Sequence, residues 1–295
     1  MPDTSPSAAT APEATRVGRR RGVLARLLRH PSGAIGLVLS LAFVVMALIG
    51  PSLTPYDPNR QNFLVLNEPP SARHWLGTDQ FGRDTFSRVI AGARTSIGIG
   101  VAATLLGALV GGLWGLWSGY AGRWVDAISM RLVDVLLAFP GLLLAIGLIA
   151  ITGPGVGPVI VASAVFGVPI FARLVRSSVL GAKERVFIEA ARGLGANHLR
   201  IMFAHLLPAV IAPVIVYATL RVGVTMLVAA GLSFLGLGVQ PPTAEWGSML
   251  SQAQLYLRLD PWMAFAPGIA ITLAVLGFNL LGDGLRDVLD PTLRA

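Results

Sequence analysis

The sequence predicts an all-α, polytopic membrane protein with six transmembrane helices. Three observations carry this. Of 295 residues, 54% are hydrophobic and only 13% are charged, whereas a soluble domain carries about 25% charged residues. The mean hydropathy is +0.69. The apolar residues fall in long uncharged blocks, of the roughly 20-residue length that a spanning helix needs. These blocks are continuous rather than alternating, which excludes a membrane β-barrel and leaves helices as the spanning structure.

Residues 1–30 are expected to form a disordered, basic cytoplasmic tail. The first half is rich in Pro, Ala, Ser and Thr, a composition that cannot build a core. Arg16, Arg19, Arg20, Arg21, Arg26 and Arg29 follow and hold this end in the cytoplasm. Residues 31–50 are the first span. Its uncharged run is long and no A-x-A-like site follows, so it is expected to stay uncleaved. Residues 51–94 form an external segment. The core, residues 95–282, supplies five more spans. The second runs over 95–122. The uncharged stretch 135–172 is broken by Gly153-Pro154-Gly155-Val156-Gly157-Pro158, a turn signal that divides it into two spans. The fifth covers 208–238, apolar except for Arg221, and the sixth 261–282. Residues 283–295 are a cytoplasmic tail.

Loop charges support this order. The expected cytoplasmic loop 173–207 holds Arg173, Arg176, Lys183, Arg185, Arg192 and Arg200 against Glu184 and Glu189. The expected outer segment 239–262 has Arg258 as its one basic residue. The bias is positive inside, with both termini cytoplasmic. Gly107, Gly111, Gly112 and Gly115 crowd the second span, where small residues let helices pack closely.

Several function classes drop out. The net charge of +8 comes from 22 Arg and one Lys between apolar blocks, which orients a membrane protein and shows no aromatic–basic surface for nucleic acid. There is no Cys, so disulfides, Cys-ligated zinc and thiol catalysis are excluded. The four His (His30, His74, His198, His205) lack zinc-protease spacing, and no metal site is expected. No Gly-x-Ser-x-Gly elbow or carboxylate–His cluster suggests a catalytic residue. A P-loop needs Gly-Lys-Ser/Thr, but the single Lys183 lies between Ala182 and Glu184. This chain therefore binds no ATP through such a motif and is expected to be a non-enzyme without a cofactor of its own.

The loop 173–207 carries the strongest signal. From Glu189 to Pro208 it reads EAARGLGANHLRIMFAHLLP. Glu189, Ala190 and Ala191 favour a short helix with a small face. Gly193 and Gly195 then permit a turn, and helix resumes from His198 to Pro208. Such a helix–turn–helix projecting into the cytosol is suited to docking. The segment resembles the coupling loop of bacterial ABC-importer permeases, in the spacing of Glu189, Ala190, Ala191, Gly195, Leu207 and Pro208. His205 stands where Ile is common, a variant typical of the peptide-importer branch. Three further stretches resemble the second membrane subunit of the dipeptide and oligopeptide (peptide/nickel) permeases. They are His74-Trp75-Leu76-Gly77-Thr78-Asp79 with Gly82-Arg83-Asp84, Ser87-Arg88 and Gly92-Ala93-Arg94; Leu232 to Pro242 with Trp246-Gly247; and Gly284-Leu285-Arg286-Asp287 with Leu289-Asp290-Pro291. One departure is Ala229, where relatives often carry an acidic residue.

The resemblance implies a type I importer core in the bacterial inner membrane. It implies a second homologous permease subunit, two ATP-binding subunits that hold ATP and Mg, an external substrate-binding protein, and a di- or oligopeptide solute. Nickel, glutathione or another small solute is the alternative cargo. A channel would need a selectivity filter, and a membrane enzyme paired polar residues within the spans. Arg221, near mid-depth of the fifth span, has two readings: a packing residue at a subunit interface, or a residue of the translocation path that attracts a solute carboxylate.

Overall fold

The computed structural model describes residues 23–289, so Arg16, Arg19, Arg20 and Arg21 of the expected tail, and Asp290 and Pro291, lie outside the described residues. The helices are α1 (Val23–Leu27), α2 (Pro31–Ile49), α3 (Thr85–Ala121), α4 (Arg123–Ala138), α5 (Gly141–Thr152), α6 (Val156–Lys183), α7 (Val186–Gly193), α8 (His198–Arg200), α9 (Leu207–Phe234), α10 (Trp246–Ala253) and α11 (Trp262–Leu289). A π-turn, Ile201–Leu206, joins α8 to α9 without a break.

Five helical segments, Pro31–Ser52, Thr85–Ala121, Val156–Lys183, His198–Phe234 and Trp262–Leu289, are long and apolar enough to cross a membrane. The expected third span differs: it is a bent pair, α4 and α5, meeting at 86°. Phe139-Pro140-Gly141 forms the elbow. Proline bars the helical conformation at the residue before it, and Phe139 is extended at ψ 134°. With 12 residues, α5 is about 18 Å long, short of the roughly 30 Å hydrocarbon layer. The pair nonetheless counts as one traverse. Gly107, Gly111 and Gly115 of α3 meet the carbonyls of Ala164, Val168 and Ala172, and Gly119 meets that of Arg176. The register advances in the same direction on both helices, so α3 and α6 are parallel. The chain between them must return the length of the bundle, and α4–α5 is that return. Gly112 sits at the margin of this seam, where a Cβ would meet only Val175 of α6 at an ordinary 3.8 Å. Arg26 Nη1 donates to Val288 O at 3.2 Å, so both chain ends leave at one end of the bundle, as an even number of crossings requires.

Other boundaries also shift. Within the expected disordered tail, 23–27 is helical. The expected external segment gives up its last ten residues to α3, which starts at Thr85 under an Asp84 cap. Residues 123–138, which follow the expected second span, form α4, and 173–183 of the expected cytoplasmic loop continue α6. Charge marked these boundaries in the sequence, but here charged residues such as Arg94 and Arg173 lie inside helices, Arg173 paired with Asp134.

The segment between α2 and α3 is held by turns around buried ion pairs. The Asp79 carboxylate accepts from the Phe81 and Arg83 amides at 2.9 and 3.0 Å and from Arg83 Nε at 2.6 Å. Arg88 Nε lies 3.5 Å from it, and Arg88 Nη1 donates to Pro58 O and Pro242 O. Asp84 accepts from the Ser87 amide and hydroxyl and pairs with His74 Nδ1 at 2.9 Å. Gly82 has φ +68°, and a Cβ there would collide with the Asn62 carbonyl. The stretch from His74 to Arg88, one of those that carry the resemblance, is thus the wiring of this cap.

Against the cap sits α10. Glu245 caps it, accepting from the Gly247 and Ser248 amides at 2.9 and 2.8 Å and from Ser96 Oγ at 3.3 Å. Burial pushes the Glu245 carboxyl upward from its usual range, opposed by those amides. Trp246, fully buried, donates Nε1–H to Val89 O at 2.8 Å and meets Phe43 edge-on at 5.9 Å. Ala229 is enclosed by an apolar cluster including Ile99, Ala162 and Leu232, which leaves a carboxylate there no polar partner within the cluster.

Candidate docking site

The opposite end of the bundle carries α7 and α8 on a rigid base. Ile188 and Ala191, three residues apart on α7, point inward. Ile188 joins Leu116 of α3, Val175 and Val179 of α6, and Ile201 and Leu206 of the π-turn in one buried cluster. The outward face is formed by Glu189, Ala190, Arg192 and Gly193. The sequence therefore placed helix, turn and helix resumption in the right order, and the structure fixes which face is free.

The turn is a Schellman motif. The Ala196 amide donates to Ala191 O at 3.0 Å and the Gly195 amide to Arg192 O at 2.9 Å. This requires the left-handed conformation at Gly195, with φ +80°. Among the described residues, no atom beyond its chain neighbours lies within 4 Å of where a Gly195 Cβ would sit. The glycine answers a backbone demand here, and the space beside it is open. Asn197 then caps α8, accepting from the Arg200 amide at 2.8 Å.

His205, Leu207 and Pro208 do not share the exposed knob. His205 lies half-buried in the π-turn, whose last bond runs from the Leu207 amide to Met202 O. Pro208 is the second residue of α9, directly after the π-turn. These three shape the entry to α9, while Glu189, Ala190 and Gly195 stand on the free surface and Ala191 anchors it.

Sequence reasoning missed the apolar residues around the knob. Leu194 is 89% exposed and Leu199 66%, with Phe187 and Phe203 also exposed. Large apolar side chains on a projecting turn suit contact with another protein. Phe187 and Leu194 stand in the sequence among other apolar residues of the loop, such as Val186, Ile188 and Leu199, so composition did not single them out. Also missed were the braces that fix the knob's angle. Arg176 grips Asp126 with both Nε and Nη2 at 2.5 Å, and Ser118 Oγ donates to the same carboxylate at 2.8 Å. Lys183 Nζ donates to Gly119 O at 3.1 Å, and Tyr120 OH lies 2.6 Å from His198 Nδ1.

Arg221 is remote from the knob. It is 8% exposed, and its guanidinium lies over the Phe166 ring of α6, 4.5 Å from the centroid. Nε and Nη2 have no hydrogen-bond partner among the described residues. The edge of the same ring abuts Gly141, the first residue of α5, so the elbow of the bent pair rests on Phe166. A Cβ at 141 would overlap that ring. Gly141→Ala is expected to destabilise the subunit by about 1–3 kcal/mol through overpacking. The check is a lower melting midpoint of the purified subunit, and an unchanged midpoint would contradict the elbow packing.

Comparison with known proteins agrees with this architecture. Residues 111–295 match the family described as "Binding-protein-dependent transport system inner membrane component". Residues 19–70 match "N-terminal TM domain of oligopeptide transport permease C". A glutathione transport system permease protein of Pectobacterium atrosepticum is 47% identical over 270 residues, covering 91% of this chain and 89% of the relative. A dipeptide transport system permease protein of Alkalihalophilus pseudofirmus is 44% identical over 281 residues, covering 95% and 92%. A glutathione permease of Salmonella typhimurium is 49% identical over 255 residues, covering 86% and 84%. With more than half the chain matched by the first family, and a parallel α3–α6 seam and a projecting α7–α8 knob in its fold, this chain belongs to the binding-protein-dependent, ABC-importer permeases of the peptide/nickel type.

Proposed function

We propose that this chain forms half of the translocation path of an ATP-driven importer for di- and oligopeptides. A second, similar permease subunit supplies the other half. Of the two ATP-binding subunits, which hold ATP and Mg, one docks on the α7–α8 knob of this chain. The knob faces the cytoplasm, as do both chain ends, and the cap before α3 and the α10 region face an external binding protein. The observation that carries this reading is the knob itself: an exposed, apolar-ringed turn on a fully packed base, in a chain whose single Lys rules out a P-loop of its own. Cargo class follows the named relatives, one a dipeptide permease and two glutathione permeases. Glutathione is itself a tripeptide, so both fall within one class of small, carboxylate-bearing solutes.

The test is reconstitution of the chain with its neighbouring subunits in proteoliposomes. Uptake of labelled dipeptide or glutathione is expected only with ATP inside and binding protein outside. Failure of any ATPase chain to copurify, together with ATP-independent uptake, would point to a channel instead.

A further inference from the structure

We infer that a single buried water molecule bolts the cap segment to α3 and α10. Between them lies a cavity of about 10 Å³, near the lower bound for one water. Three polar atoms on its lining residues have no partner in the chain: Arg88 Nη2, Thr85 Oγ1 and Gln80 Oε1. Arg88 and Thr85 are 1% and 2% exposed, so bulk solvent does not serve them. Met249 of α10 and Met263 of α11 close the apolar side.

The chemistry selects water over an ion. Gln252 Nε2 donates to Ser248 O at 3.2 Å, which turns its Oε1 toward the cap. That oxygen accepts from Arg83 Nη2 at 2.9 Å and from Gln80 Nε2 at 3.2 Å. Gln80 Oε1 is thereby committed as an acceptor facing a donor it does not have. Arg88 Nη2 needs an acceptor, and Thr85 Oγ1 serves as either. One water accepts from Arg88 and donates to Gln80 and Thr85, within the usual complement of about three hydrogen bonds. A halide would satisfy Arg88 but offers no proton to Gln80, and a cation would face Arg88 while the lining Asp79 carboxylate is already held by Arg83 and Arg88. The site lies where cap, α3, α10 and α11 meet, so its occupant joins elements distant in sequence.

The assembled importer, imaged at a resolution that shows ordered water, is expected to have a density peak about 2.7–3.2 Å from all three atoms. Lack of a peak there overturns the assignment. Crystals grown in bromide supply the second arm: an anomalous peak in the cavity would make the occupant a halide and also overturn it. Thr85→Val removes one partner at nearly constant shape, whereas Thr85→Ser retains the hydroxyl. The Val variant of the assembled complex is expected to melt about 2–4 °C lower, with the Ser variant unchanged. Equal melting of Val and wild type, or equal losses in Val and Ser, would contradict a hydrogen-bonded water.

Discussion

Gly195→Asn is expected to reach the membrane, fold, and lose at least about tenfold in ATP-driven uptake. The argument turns on separating backbone from surface. Position 195 has φ +80°, where an ordinary residue such as Ala costs roughly 1–2 kcal/mol, but Asn enters that region with little penalty. Among the described residues beyond its chain neighbours, a Cβ at 195 meets nothing within 4 Å. Asn thus preserves the Schellman turn and adds bulk only on the outside. A tenfold loss corresponds to about 1.4 kcal/mol of lost contact, a small demand on a protein interface. Gly195→Ala adds strain to bulk, and Gly195→Asp adds charge. All three should insert normally, with ATPase activity no longer coupled to uptake. If Asn is fully active and Ala is weak, the glycine serves only the turn. If all three are active, Asp included, nothing docks there.

Much of this architecture was legible in the sequence because it rests on local chemistry. Uncharged blocks marked the spans, and the helix–turn–helix of 186–206 followed from Gly195 and the residues around it. The bent third span was less accessible. Residues 135–152 have the composition of a straight helix, and only Pro140-Gly141 signals a break. Whether Pro kinks or terminates a helix depends on what the freed segment packs against, here Phe166, which lies 25 positions later. The start of α3 was misplaced for a related reason. Arg88 is 1% exposed inside that helix, and its neutralisation by Asp79 and two carbonyls of distant loops is a tertiary fact. At the docking site, the sequence identified the turn. It could not show that Ile188 faces inward while Phe187 and Leu194 face out, since both are apolar and only the packed base tells them apart.

Arg221→Met is expected to leave assembly intact, or to raise its thermal stability, while lowering uptake of carboxylate-bearing solutes. In this structure the guanidinium is a cost. An Arg at the centre of a span is unfavourable by about 2.5–3.5 kcal/mol on insertion scales. The visible compensation is the Tyr217 hydroxyl and the Phe166 face at 4.5 Å, and such a ring contact is worth about 2 kcal/mol when desolvated. Two of its nitrogens are buried without partners. Replacing such a charge by an apolar side chain of similar length is commonly neutral or stabilising. Those two nitrogens are also closed off by this chain's own atoms, so they are not presented to a neighbouring subunit in this conformation. On the path reading of Arg221, its partner is expected in another state of the transport cycle, and a passing carboxylate fits the proposed cargo class. Arg221→Lys keeps the charge but loses the planar stack on Phe166, and should fall between Met and wild type. The measurements are the yield and melting midpoint of the assembled importer, and initial uptake rates for a dipeptide and for its C-terminal amide. A drop in assembled yield with Met would assign Arg221 to a subunit interface. Normal assembly with unchanged uptake of both solutes would remove the interface and path readings together.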